Sequence, residues 1–65
     1  MTLSLYMKDI NGNLITKGEK VNVIIAGEFY CQAIFKWCIG GFVTLQEDIK
    51  CKIDQIPLYN VYKVI

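Results

Sequence analysis

The sequence predicts an all-β protein that folds as a single domain over residues 1–65. Apolar residues recur at nearly every second position, which is the spacing of a strand with one face on a core. Turn signals rich in glycine and asparagine separate these stretches, and helical spacing is sustained nowhere. With 65 residues, no internal repeat and no linker, the chain has room for one core only.

The first two predicted strands form an N-terminal hairpin. The first strand, Leu3–Lys8, has an inward row made of Leu3, Leu5 and Met7. The Asn11-Gly12 pair tolerates the positive φ angles of a tight turn. Leu14–Thr16 is therefore predicted to return beside the first strand.

The middle of the chain is predicted to build the wall of the core. Val21–Ile25 is expected to be a central strand with Val21, Val23 and Ile25 inward. The longest alternation follows, and its inward residues would be Phe29, Cys31, Ala33, Phe35 and Trp37. After a reversal at Gly40-Gly41, the strand Phe42–Glu47 turns Val43 and Leu45 inward, and Phe42 is also assigned to the core.

The C-terminal third is predicted to contain two more strands and one short helical turn. Ile49–Ile53 alternates as a half-buried strand with Lys50 and Lys52 toward solvent. Pro57 cannot donate to a ladder, and the apolar spacing after it fits one 3-10 turn. Tyr62–Ile65 then reads as a terminal strand.

Composition narrows the function. The net charge is +1, from seven lysines against six acidic residues, with no arginine and no histidine. Such a chain lacks a strong field toward a polyanion or a membrane, and it lacks the usual base of nucleophilic catalysis. We therefore expect no enzyme activity, cofactor, metal site or small-molecule substrate.

The three cysteines carry a separate expectation. Alternation turns Cys31 and Cys51 inward, where they read as small buried hydrophobes of a reducing compartment rather than a disulfide framework. Cys38, near a turn, is expected to be the exposed thiol. No apolar run approaches the ~20 residues needed to span a bilayer. The expected location is cytoplasmic.

Two stretches carry a resemblance that runs from Leu14 to Ile65. Lys17–Val23 is similar to the opening Gly-acidic-x-Val-x-Val of SH3-like barrels, and Ile56–Val64 is similar to their closing pattern around a Pro-Leu pair. The chain thus resembles the Tudor and KOW versions of that fold. The resemblance implies a small barrel of five or six antiparallel strands, with an N-terminal hairpin and one 3-10 turn near the C-terminus.

The opening Lys8–Asn13, followed by Lys17–Val21, also resembles small uncharacterised proteins of phages and mobile elements. This likeness implies a phage protein that acts on a host protein.

Outward apolar side chains provide the leading functional hypothesis. Alternation leaves five such residues facing solvent: Tyr30, Ile34, Ile24, Tyr59 and Tyr62. Tyrosine and isoleucine left outside a small core are typical of a contact surface. We predict a non-enzymatic interaction module that binds a host protein, or itself as a homodimer, through an apolar sheet face or an edge strand.

Two alternatives remain open. Lys36, Lys50 and Lys52 with Tyr30 could form a strip that binds RNA or single-stranded nucleic acid by charge and stacking, or simply a lysine-covered strand face. The Tudor resemblance instead places Phe29-Tyr30 at the first aromatic of a cage for methylated ligands. A working cage would need at least three aromatics.

Overall fold

A computed structural model describes residues 2–47 and 50–65, and the described chain is all-β with one 3-10 turn. Its strands are Tyr6–Lys8 (β1), Leu14–Thr16 (β2), Lys20–Ile25 (β3), Glu28–Ile39 (β4), Phe42–Gln46 (β5), Gln55–Pro57 (β6) and Val61–Lys63 (β7). The 3-10 turn, Leu58–Asn60, lies between the last two strands.

The strands form two antiparallel sheets. β1 and β2 make a two-stranded hairpin, and the five-stranded sheet has the order β6-β5-β4-β3-β7. The predicted hairpin, the interior position of β3 and the 3-10 turn after Pro57 are confirmed. Within the described residues no ladder joins the edge strands β6 and β7, so an SH3-like barrel stays a prediction.

The core lies against one face of β3, β4 and β5. Its fully buried side chains include Phe35, Leu45, Val21, Val23 and Val43. Ile15 and Val61 close the core from the hairpin and the last strand. Alternation thus identified the inward rows of the three interior strands correctly from Val21 to Val23, from Cys31 to Phe35 and from Val43 to Leu45.

A β-bulge overturns the inward assignment of Phe29, which is 62% exposed. Val23 pairs with Cys31, but the next residue, Ile24, pairs with Phe29. Tyr30 is the extra residue, and it shifts the alternation by one position. Phe29 therefore lies on the outer side, opposite the half-buried Ile24.

A second bulge displaces Trp37, which was expected in the core and is half-buried. Phe35 pairs with Leu45, whereas Trp37 pairs with Thr44, so that Lys36 is the extra residue. Thr44 points to the face opposite that of the buried Leu45, so its pairing partner Trp37 also points away from the core.

The same shift turns Cys38 toward the core. Cys38 pairs with Val43 and packs against the core, so it is half-buried, although it is still the free and most accessible of the three cysteines. Phe42, the first residue of β5, is 50% exposed, so its core assignment was wrong. The reason lies in β5 itself, because alternation from the buried Val43 places Phe42 on the outer face.

Three further inward assignments fail at strand ends. Leu3 and Leu5 are about half exposed, because a bend at Leu5 separates β1 from Ser4, which pairs with Cys38. Ile25 is more than a third exposed, because it flanks the tight turn beyond the edge of the core.

The predicted strand Ile49–Ile53 is not formed by its described residues. Cys51 makes only an isolated bridge, and residues 52–54 belong to no strand. Lys50 and Lys52 are exposed, as expected. Ile49 lies outside the described residues.

Cys31 and Cys51 are joined by a disulfide across 20 positions of sequence. Their inward placement is confirmed by their burial, but the expectation of two reduced thiols is wrong. The physical reason is proximity: their Cα atoms are 5.6 Å apart, which is within the range that a disulfide spans. The bond anchors the irregular segment 50–54 to β4.

Asp9 ties the N-terminal hairpin to β7. Its buried carboxylate accepts hydrogen bonds from the backbone N–H groups of Asn11 (2.9 Å), Asn13 (2.9 Å) and Lys63 (3.0 Å), and from the Asn13 amide at 3.3 Å. Burial opposes ionisation, but these donors together outweigh it and hold the pKa of Asp9 below its ordinary value of 3.8.

Replacement of Asp9 by asparagine should lower the free energy of unfolding at pH 7 by about 1–3 kcal/mol, because the acceptor facing Lys63 is lost. A carboxyl group whose pKa is lower in the folded than in the unfolded chain stabilises the fold at pH values above the unfolded-state pKa. This stabilisation is lost as the pH falls through the folded-state pKa. The difference in free energy of unfolding between wild type and Asp9→Asn, measured by urea titration, should therefore become smaller as the pH falls from 7 to below 3.8. A gap unchanged with pH would contradict this role, and Asp54→Asn, at an exposed carboxylate, is the control.

Candidate interaction surface

Three exposed apolar side chains, two of them aromatic, lie at the end of the β3–β4 hairpin. Ile25 (38% exposed), Phe29 (62%) and Tyr30 (61%) lie within a few positions of one another, and we call these three residues the tip surface. Single exposed apolar residues are normal in small proteins, but adjacent aromatic rings in solvent are typical of a contact site.

The local sequence explains why the tip surface faces outward. Ala26 (φ 53°) and Gly27 (φ 78°) form a two-residue turn with positive φ at both positions, so Ile25 pairs with Glu28. The bulge then adds Tyr30 to β4 before the core register resumes at Cys31. Turn and bulge together display two consecutive aromatic side chains that strict alternation would have placed on opposite faces.

A groove of about 260 Å³ adjoins the tip surface. It is lined by Phe29, Tyr30, Cys31, Gln32 and Lys50. The disulfide joins Cys31 to Cys51, the residue after Lys50, and Lys50 lies in the same groove as Phe29 and Tyr30. The Gln32 amide nitrogen donates to the Asn22 side-chain oxygen at 2.9 Å, which fixes that side chain.

A second groove, of about 430 Å³, carries charges of both signs. Lys36 lines it together with Glu47 and Asp54, and the remaining lining residues are Thr44, Leu45, Gln46 and Gln55. The Lys36 Nζ lies 5.0 Å from the centre of the Trp37 ring. The carboxylates offset the lysine, so this groove offers no net attraction for a polyanion.

The structure brings only part of the predicted basic strip together. Tyr30 and Lys50 line one groove, but Lys36 lines the other. Six positions separate Tyr30 from Lys36 on β4, ~20 Å along an extended strand. Lys52 is exposed and lines neither groove.

The five predicted protein-binding residues do not form one patch of equal exposure. Tyr30 and Tyr59 are each 61% exposed, whereas Ile24, Ile34 and Tyr62 are half-buried. The 3-10 turn that contains Tyr59 lies beside Ile24, because the side-chain amide of Asn60 donates to the Ile24 carbonyl at 2.9 Å.

Sequence reasoning missed two members of the tip surface, Phe29 and Ile25, by assigning both to the core. The Ala26-Gly27 pair was the available signal: a two-residue turn there fixes Phe29 opposite Ile24, on the outer face.

Both edge strands of the larger sheet present few free N–H groups for strand addition. The Leu45 N–H donates to the Asp54 carbonyl, and the Leu58 N–H donates to the Gly41 carbonyl. Because the backbone polar groups of successive strand residues point to opposite sides, those of Gln55 and Pro57 point away from β5. Pro57 has no N–H to donate. On β7, the Lys63 N–H is already bound by Asp9. Docking through either of these edges is therefore disfavoured relative to docking through side chains.

The chain matches no protein-family model, no curated protein and no solved structure. Within residues 2–47 and 50–65, no cluster of three or more potential metal-ligating side chains occurs. The same residues contain no helix with the length and apolar content to cross a membrane.

Proposed function

We propose that this chain is a non-enzymatic interaction module that docks on a protein partner through the tip surface. The observation that carries the proposal is the pair Phe29 and Tyr30, adjacent in sequence and each more than 60% exposed. Aromatic side chains dominate the energetics of interfaces because each buries a large area at a low cost in conformational entropy. Ile25 extends the same apolar area.

The scaffold we propose is an SH3-like barrel, and the proposed setting is a phage or mobile-element protein acting on a host protein. β7 pairs with β3 after a 3-10 turn that follows Pro57, and this arrangement supports the scaffold. A host protein is the primary partner, and homodimerisation through the tip surface is the competing form of the same proposal.

Serine substitutions at the tip surface test the proposal. A photo-reactive amino acid at position 30 should cross-link a partner in the native host, and binding of that purified partner should fall at least ~10-fold in Phe29→Ser or Tyr30→Ser, as expected for interface hot spots. The matched control is Tyr6→Ser, which removes an equally exposed aromatic ring from β1 and should change binding less than twofold.

Sedimentation velocity of the purified chain separates the two forms. A dimer that Phe29→Ser converts to monomer identifies self-association, whereas a monomer leaves the host protein as the partner. Equal loss of binding in Tyr6→Ser and Tyr30→Ser would contradict a docking site at the tip.

A second candidate is binding of single-stranded nucleic acid, favoured by the juxtaposition of Tyr30 and Lys50 in one groove. It requires oligonucleotide binding that weakens steeply between 50 and 200 mM salt, on the order of 10³-fold where several phosphates are neutralised. Methyl-ligand reading gains less support, because the described residues lining that groove include two aromatics, and Lys50 would repel a cationic ligand.

A further inference from the structure

We infer that the groove beside the tip surface selects an acidic segment of the protein partner, with an apolar or aromatic side chain next to an aspartate or glutamate. This inference rests on the proposed function and names the chemistry of its partner. Lys50 is the only residue with a formal charge among the five described residues that line the groove, and Phe29 and Tyr30 supply its aromatic surface.

The size of the groove sets the size of what enters it. At about 260 Å³ it falls below the ~300–1,000 Å³ of pockets that enclose a small-molecule ligand. It suits one or two side chains presented by a longer chain. The aromatic rings of Phe29 and Tyr30 favour an apolar side chain there.

The charge of the groove sets the second requirement. The Lys50 ammonium is a compact point charge that pairs with a single carboxylate, without the planar fork by which arginine grips a phosphate. The disulfide anchors the neighbouring Cys51 to β4, so the backbone of Lys50 is held near the rings before a ligand arrives, while its exposed side chain keeps its rotamer freedom. Anchoring of the backbone lowers the entropy lost on binding.

A polyphosphate backbone fits the surroundings less well than an acidic peptide. Nucleic acid needs several cations along its path, yet Lys36 and Lys52 line no part of this groove, and Lys36 shares its own groove with Glu47 and Asp54. A peptide carboxylate needs one lysine and a neighbouring apolar contact, which is what the groove contains.

Selection from a displayed library of random 12-residue peptides tests the inference on the disulfide-intact chain. The enriched sequences should carry aspartate or glutamate within two positions of an aromatic or large aliphatic residue. Lys50→Glu should weaken the best peptide at least tenfold, whereas Lys52→Glu, the same charge reversal outside the groove, should weaken it less than threefold. A peptide with its acid changed to lysine should regain affinity for Lys50→Glu.

Three results would overturn the inference in different ways. Enriched peptides without acids that lose affinity in Phe29→Ser, but bind Lys50→Glu normally, would leave the docking surface standing and remove the acidic preference. Peptides that bind Phe29→Ser with unchanged affinity would contradict both the docking surface and the acidic preference. Tight binding of a ten-residue oligothymidylate, abolished by Lys50→Glu, would assign the groove to nucleic acid. Unchanged circular dichroism and melting curves for each variant ensure that lost binding does not reflect unfolding.

Discussion

Replacement of Phe35 by alanine is expected to lower the free energy of unfolding by about 3–5 kcal/mol. Phe35 is the largest of the fully buried side chains, with 0% of its surface exposed, and it pairs with the buried Leu45 at the centre of the sheet. Truncation removes its apolar surface from the core and leaves a cavity that neighbouring side chains fill only in part.

The backbone around Phe35 limits how far the structure could collapse into that cavity. Its N–H donates to the Glu19 carbonyl, and its carbonyl accepts from the Gly18 N–H, each at 2.9 Å. These bonds hold β4 against the turn before β3. A domain of ordinary stability has only about 5–15 kcal/mol in total, so a large share of the variant should be unfolded near 37 °C.

Urea unfolding followed by circular dichroism measures this loss. Lys52→Ala is the control, since its side chain is exposed and lines no groove, and it should change the free energy of unfolding by less than ~0.5 kcal/mol. Superimposable unfolding curves for the two variants would contradict the assignment of Phe35 to the core.

Alternation predicts the interior strands because each of them buries one continuous face. It succeeds from Cys31 to Phe35, and it fails at Phe29 and Trp37, the first alternating positions beyond those limits. Both failures have one cause: a β-bulge adds a residue to β4 and changes the phase of everything past it. Periodicity within one strand contains no information on the register of its partner, so it cannot locate such a bulge.

The candidate site was predictable only in part for the same reason. Tyr30 was expected outside by simple alternation, and it is outside, although as the extra residue of a bulge. The position of Lys50 beside it depends on the Cys31–Cys51 link, which tertiary proximity determines. From sequence alone, three cysteines with no recognised spacing gave no sign of that pairing, and both residues were expected to be reduced.

Reduction of the Cys31–Cys51 disulfide is expected to lower the free energy of unfolding by about 3 kcal/mol, the value for a loop of this length in the chain-entropy description. The bond restricts the unfolded chain across 20 positions of sequence, and in the folded chain it anchors a segment without strand pairing of its own. Urea midpoints of the oxidised chain, the reduced chain and the double variant Cys31→Ala/Cys51→Ala measure the effect. The urea midpoints of the reduced chain and of the double variant should fall by similar amounts, apart from the effect of replacing a thiol by a hydrogen at the two buried side chains.

Cys38→Ala is the matched control, because it removes the one free cysteine of the described chain and leaves the disulfide intact. The control keeps its sensitivity to reductant, whereas the double variant loses it. Thiol titration of the denatured, unreduced protein should find one thiol per chain, and after reduction it should find all three cysteines. Three thiols before reduction in protein purified from the native host would show that the chain works in a reducing compartment, as the cytoplasmic prediction requires. The anchoring of Lys50 would then depend on packing of the buried Cys51 alone.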